Sequence, residues 1–138
     1  MRKVLQMGLL LLLVAALFGG CSRFAVPRPE PSRAAESFSN RLRWLDFQGA
    51  AQYLQPEYRQ EFREHFATLE GLHITDVRPA SGEEVDPQHL ESTLEVDYYL
   101  LPSLTVKTRH LHLTWQYVDL GRWQSGYWQI VGPFPDFP

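Results

Sequence analysis

The feature that most constrains the fold is a change in the spacing of apolar residues at Gly71. Before Gly71, apolar residues recur every three or four positions, the period of an amphipathic helix; after it they alternate with polar residues, the period of a half-buried strand. The alternation is clearest from Leu90 to Leu100. Helices followed by long strands predict an α+β fold, with the N-terminal helices packed on one face of a curved antiparallel sheet of about four strands.

Three helical segments are expected before Gly71. Ser32 is a candidate N-cap for a first helix that ends near Asp46. A short helical turn is expected at 50–54, and Pro56 suits the first position of a third helix, because its missing N–H has no partner there anyway. The first helix has a one-sided apolar stripe formed by Ala35, Phe38, Leu42 and Leu45.

Four strands are expected after Gly71. The first contains Leu72 and Ile74, and a polar turn is predicted at 81–86 before the strand at 90–100. In the next strand, 104–118, the apolar residues change from even to odd positions, so a bulge or twist is predicted near 107–110. A last strand returns within 123–131.

The N-terminus has the pattern of an export signal. Arg2 and Lys3 precede an apolar run from Val4 to Phe18, which is short for a transmembrane helix but typical of a signal-peptide core. Phe18-Gly19-Gly20-Cys21 follows and resembles the bacterial lipobox, with Phe18 where Leu is usual. The resemblance implies cleavage before Cys21 and lipidation of its thiol. The alternative is a free thiol after an ordinary secretory signal.

These features divide the chain into a lipoprotein signal peptide at 1–20, a lipidated cysteine with a proline-rich tether at 21–32, and a single α+β domain at 33–138. The resemblance implies a lipid-anchored protein of the cell envelope. Ser22 is not the aspartate-type signal that retains lipoproteins in the inner membrane, so the outer membrane, facing the periplasm, is the default in a Gram-negative organism. Inner and outer membrane stay open as alternatives.

The mature domain resembles the nuclear transport factor 2-like superfamily, a cone-shaped, cystatin-like α+β fold that includes ketosteroid isomerases. The matching segments are 35–45, Phe47-Gln48-Gly49-Ala50-Ala51, Pro56-Glu57-Tyr58-Arg59, Leu69-Glu70-Gly71-Leu72 and Trp128-Gln129-Ile130. The order of these elements carries more of the resemblance than any one of them. The resemblance implies a cone that holds an apolar ligand or, in the enzymes, a buried acidic base.

Composition excludes some classes of function. The formal net charge of the chain is −3 with no basic stripe, which disfavours nucleic-acid binding. A single cysteine rules out an intrachain disulfide. No glycine-rich phosphate loop, serine-nucleophile motif or paired-cysteine metal motif is present, so neither a cofactor nor a metal is expected.

The candidate ligand contacts are four aromatic residues on the apolar strand faces, Tyr98, Trp115, Tyr117 and Trp128. No carboxylate shares their face, so no catalytic residue is assigned. His110 and His112 have the spacing of a strand metal site but lack further ligands, and solvated histidines are the simpler interpretation. We therefore expect a membrane-anchored binding or adaptor module for an apolar ligand or an envelope protein, with a sheet-mediated homodimer as one option. The alternative is a small isomerase-like or hydrolase-like enzyme.

Overall fold

The computed structural model describes residue 1 and residues 26–138, and within them the predicted α+β arrangement is confirmed. Helices pack against one face of an open, four-stranded antiparallel sheet whose strand order is β1-β2-β3-β4. The helices are α1 (Pro31–Arg43), α2 (Phe47–Ala51) and α3 (Arg59–Ala67), the last preceded by a 3₁₀ turn (Pro56–Tyr58). The strands are β1 (Leu72–Asp86), β2 (His89–Leu100), β3 (Lys107–Val118) and β4 (Tyr127–Val131).

The helix starts are set by proline rather than by a capping side chain. Pro31 is the first residue of α1 and Glu30 is its N-cap, so the prediction of Ser32 as the cap is wrong. Pro56 opens the 3₁₀ turn as expected. At both places the fixed φ of proline suits a first helical turn, where its missing N–H leaves no bond unmade.

The β1–β2 hairpin is longer than predicted. Residues 81–86 belong to β1 and pair with the start of β2, so the polar turn predicted there is wrong. This part of β1 is an exposed edge strand, and its sequence lacks the alternation of apolar and polar residues that predicts a strand. Three register shifts lie along β1, between Ile74 and Asp76, between Pro79 and Ser81, and between Glu84 and Asp86.

The predicted bulge in β3 is also wrong. Strand β3 begins at Lys107 and pairs with β2 in an unbroken register. Leu104 and Val106 lie in the connection between the two strands and are exposed. The change of the apolar residues from even to odd positions therefore marks the boundary between the β2–β3 loop and β3. Within β3 the odd positions Leu111, Leu113 and Trp115 are buried as expected.

The core lies between the helices and the inner face of the sheet, the face that carries Leu94, Val96 and Trp115. Phe38 of α1 meets Trp115 edge to face, with ring centroids 5.9 Å apart. A second aromatic cluster joins α3 to the C-terminal segment, where Phe137 is buried against Phe66 and Tyr98.

Both sheet edges carry features that oppose pairing with another chain. The edge of β4 is covered, because the Ile130 N–H donates to the Tyr53 carbonyl and the Gln55 N–H donates to the Ile130 carbonyl. The edge of β1 has its three register shifts and Pro79, which has no N–H to donate. Pairing of two copies edge to edge is thus disfavoured.

The predicted signal segment and Cys21 lie outside the described residues. In the part of the chain that the structure describes, none of the helices is long and apolar enough to cross a membrane.

Candidate functional site

An apolar groove lies between the start of α1 and the distal half of the β1–β2 hairpin. Its volume is about 680 Å³, within the range of small-molecule sites. The groove exists because the β1–β2 hairpin extends beyond α1, so the helix covers only part of the inner face of the sheet. The lining residues are small or apolar except for two glutamates and three serines: Pro31, Ser32, Ala35, Glu36, Pro79, Ala80, Ser81, Gly82, Glu84, Leu90 and Ser92.

The polar group at the base of the groove is the Ser92 hydroxyl. Ser92 faces inward from β2 and is buried. The indole Nε1–H of Trp115 donates a hydrogen bond to Ser92 Oγ over 2.9 Å. Since the serine oxygen accepts this bond, its own O–H stays available as a donor. The base of the groove can therefore offer one hydrogen bond to a bound molecule.

The charged side chains that line the groove are acidic. Glu36 and Glu84 are both exposed at the rim, and no lysine, arginine or histidine lines the groove. Two carboxylates without a cation disfavour an anionic ligand and favour a neutral or cationic one.

Of the four aromatic residues predicted as ligand contacts, Tyr98, Trp115 and Trp128 are buried in the core, Tyr117 is half-buried against it, and none lines this groove. Trp115 is fully buried beneath Phe38, and Tyr98 packs on Phe137. Tyr117 and Trp128 form a separate pair with ring centroids 5.4 Å apart. The structure therefore does not bring the four together around one cavity.

The Tyr117–Trp128 pair holds the segment before α1. The Arg28 guanidinium lies 4.3 Å from the ring centroid of Tyr117 and 4.6 Å from that of Trp128, a cation–π arrangement. Trp128 Nε1–H also donates to the carbonyl oxygen of Pro29 over 3.0 Å. The end of the predicted tether is thus fixed to β3 and β4.

The outer face of the sheet carries an ion-pair network centred on Arg78. Its guanidinium bonds Asp97 at 2.9 Å, Asp76 at 2.8 Å and also Glu95. These carboxylates, Asp97 first, raise the pKa of Arg78. The pKa of Asp97 is lowered by the Thr108 hydroxyl and then by Arg78. One guanidinium is shared by three carboxylates, so the network keeps a net negative charge, and its exposed ion pairs link β1 to β2.

His110 and His112 lie on the same outer face and are exposed. His112 Nδ1 is hydrogen-bonded to the Thr93 hydroxyl at 3.0 Å. Within residues 26–138, no three His, Cys, Asp or Glu side chains are grouped so that they could hold a metal ion.

A smaller pocket of about 390 Å³ lies between α3 and the C-terminal segment. It is lined by Phe62, His65 and Asp136, among others, and the His65 imidazole is hydrogen-bonded to the Phe137 carbonyl. That bond fixes the C-terminal segment on α3. It also engages Nε2 of the imidazole.

The buried polar side chains of the described residues are Ser39, Ser92 and Gln129. The Ser39 hydroxyl donates to the Ala35 carbonyl, a bond within the helix. A buried carboxylate or imidazole, the group that a cone-fold enzyme would need as its base, does not occur in this part of the chain.

Neither a protein-family model, a curated protein nor a solved structure matches the chain. The resemblance to the nuclear transport factor 2-like superfamily therefore stays a prediction beyond the α+β arrangement itself.

Proposed function

We propose that this protein is a membrane-anchored lipoprotein of the cell envelope whose domain binds a neutral or cationic apolar small molecule. The observation that carries the proposal is the groove beside the start of α1. There the inner face of β2 extends past the helix and forms an apolar cleft with Leu90 and Ser92 at its base. This proposal places the ligand in the groove and not at Tyr98, Trp115, Tyr117 and Trp128, the four aromatic residues predicted from the sequence.

The chemistry of the groove supports binding over catalysis. Its acidic side chains are exposed to solvent at the rim and not held inside the cleft. Leu90 and Ala35 supply apolar contact, and the Ser92 hydroxyl supplies one oriented hydrogen bond. This combination of a few polar groups in an apolar cleft is typical of small-molecule binding sites.

The anchoring part of the proposal is tested at Cys21. Wild type and Cys21→Ala are expressed in a bacterial host, separated into membrane and soluble fractions, and measured by intact mass. We expect wild type to begin at Cys21, to carry acyl chains and to sediment with membranes, because two or more chains give stable anchoring. If the two masses differed only by the Cys-to-Ala substitution itself, and the two proteins were distributed alike between the fractions, the anchor would be refuted.

The binding part is tested with N-phenyl-1-naphthylamine, an uncharged apolar probe that fluoresces when it leaves water. The variant Gly82→Phe should block the groove, because a Cβ at this position meets only Leu90 Cδ1, at 3.9 Å, and so leads into the cleft. We expect wild type to enhance the fluorescence and Gly82→Phe to lose most of the enhancement.

The matched control is Thr114→Phe, which adds the same ring to the exposed outer face of β3. This control should bind the probe as wild type does. Equal enhancement by wild type and Gly82→Phe, or none by wild type, would refute the groove as the binding site.

A further inference from the structure

The tether and the β3–β4 loop (119–126) lie at the same end of the sheet. Val26 and Arg28 line a surface pocket together with Asp119, Gly121 and Arg122 of the loop. The contacts of Arg28 and Pro29 with the Tyr117–Trp128 pair keep the incoming chain there. We call this the tether end of the domain.

The tether end must stay close to any lipid attached at Cys21. Only four residues, 22–25, lie between Cys21 and Val26, so five residue steps join them. Fully extended, five steps span at most about 18 Å. Since Val26 lies beside the loop, a lipidated Cys21 would keep the loop within roughly that distance of the bilayer surface.

The loop displays the side chains that favour the membrane interface. Trp123 is 79% exposed, and Leu120 and Tyr127 beside it are also exposed. Tryptophan and tyrosine partition to the boundary between lipid headgroups and acyl chains, because their rings are apolar with one polar group. Nothing in residues 26–138 covers this part of the loop.

Charge does not oppose such a contact. Among the residues that line the pocket at the tether end, Arg28 and Arg122 are basic and Asp119 is acidic, so the surface carries no excess of negative charge. Such a surface can contact a bilayer through its apolar side chains, and the apolar part of the contact should depend little on the charge of the headgroups.

We propose that the β3–β4 loop is a second membrane contact, in which Trp123 and Leu120 enter the headgroup region of the bilayer to which Cys21 is attached. The inference rests on the proposed lipid anchor. A few apolar side chains bind a bilayer weakly on their own, but attachment at Cys21 makes their binding intramolecular and raises the effective concentration. The loop would then fix the orientation of the groove relative to the membrane.

The test is quenching of tryptophan emission by phosphatidylcholine brominated near the headgroup. Protein extracted from membranes is reconstituted into brominated and ordinary vesicles as wild type, Trp123→Phe and Trp44→Phe. Trp44 is the matched control, since it is 78% exposed but follows the far end of α1, about 20 Å along the helix from Pro31. Wild type and Trp44→Phe should be quenched, and Trp123→Phe should lose most of the quenching.

Quenching that persists in Trp123→Phe and disappears in Trp44→Phe would overturn the proposal, as would an absence of quenching in anchored wild type. Repeating the series with brominated phosphatidylglycerol should give the same pattern. Intact mass reports acylation of Cys21 on the same samples, so failure of the anchor is seen separately. If no acyl chain is found, coupling the single thiol to a maleimide lipid restores the attachment, and the quenching is measured there.

Discussion

The two faces of the sheet are built from the same strands but are held together by different forces. On the inner face, β2 and β3 present Leu94, Val96 and Trp115, which pack against the helices. On the outer face, the alternating positions hold Arg78 and its carboxylates, joined across strands by ion pairs and hydrogen bonds. Alternation of side chains along each strand produces both faces at once.

The difference indicates where a ligand can bind. On the outer face Arg78 is already bonded to three carboxylates, so a partner at these residues would have to replace bonds that exist. The inner face is covered by α1 only in part, and where the hairpin extends past the helix, Leu90 and Gly82 line the groove. A ligand in the groove would continue the packing that the helix begins.

The largest expected effect is at Trp115, on the inner face. The side chain is fully buried, so Trp115→Ala should lower the free energy of unfolding by about 3–5 kcal/mol, through lost burial and a cavity. Its control on the outer face is His112→Ala in the same strand, which should change stability by less than about 0.5 kcal/mol. Thermal and urea unfolding of both variants would measure this contrast, and similar losses at the two sites would contradict it.

A smaller effect is expected where the core meets the groove. Ser92→Ala removes the acceptor of the Trp115 indole N–H and leaves that buried donor unpaired. We expect a loss of about 1–3 kcal/mol in the free energy of unfolding. The double variant Ser92→Ala with Trp115→Phe removes donor and acceptor together and gives the control. If the loss of stability in the double variant equalled the sum of the losses in Ser92→Ala and Trp115→Phe, the two residues would not be coupled by the hydrogen bond.

The smallest effect concerns Asp97, on the outer face. The Thr108 hydroxyl is the main cause of its lowered pKa, with Arg78 second. A lowered pKa in the folded state means that ionised Asp97 contributes stability above its unfolded pKa of about 3.9, and that this contribution is lost as pH falls through the folded value.

Thr108→Val should therefore raise the pKa of Asp97. Asp46 is the control, and its pKa should stay low, because it is lowered mainly by a hydrogen bond from the Gly49 N–H of α2. Carbon-detected NMR titration of both carboxylates would measure the change. A pKa of Asp97 equal to that of wild type would show that the Thr108 hydroxyl does not act on it.

The fold was predicted best in segments where one face is buried, because burial makes apolar residues recur at regular positions. The alternation over Leu90–Leu100 placed β2 and its buried face correctly as far as Tyr98, although Leu100 is exposed, and the odd positions Leu111 to Trp115 of β3 were also correct. The failures lie where burial gives no signal. Residues 81–86 form an exposed edge that looked like a turn, and Leu104 and Val106 are loop residues whose apolar side chains imitated a strand.

The groove could not have been predicted from any local pattern. Its lining comes from the start of α1, the exposed half of β1 and the first residues of β2. Proline, alanine, serine and glycine contribute much of it, and these residues suit loops and turns equally well. The cleft depends on the length of the hairpin relative to α1, and the exposed distal half of β1 has no apolar alternation from which that length could be predicted.

The most direct test of the account locates the bound probe by NMR. With N-phenyl-1-naphthylamine added to the protein, we expect intermolecular NOEs from its rings to the methyl groups of Leu90 and Ala35, which line the groove. The outer-face methyl groups of Thr93 and Thr114 should show none. NOEs to Phe62 or Phe134 of the smaller pocket, or to the outer face instead of Leu90 and Ala35, would contradict the assignment of the groove as the binding site.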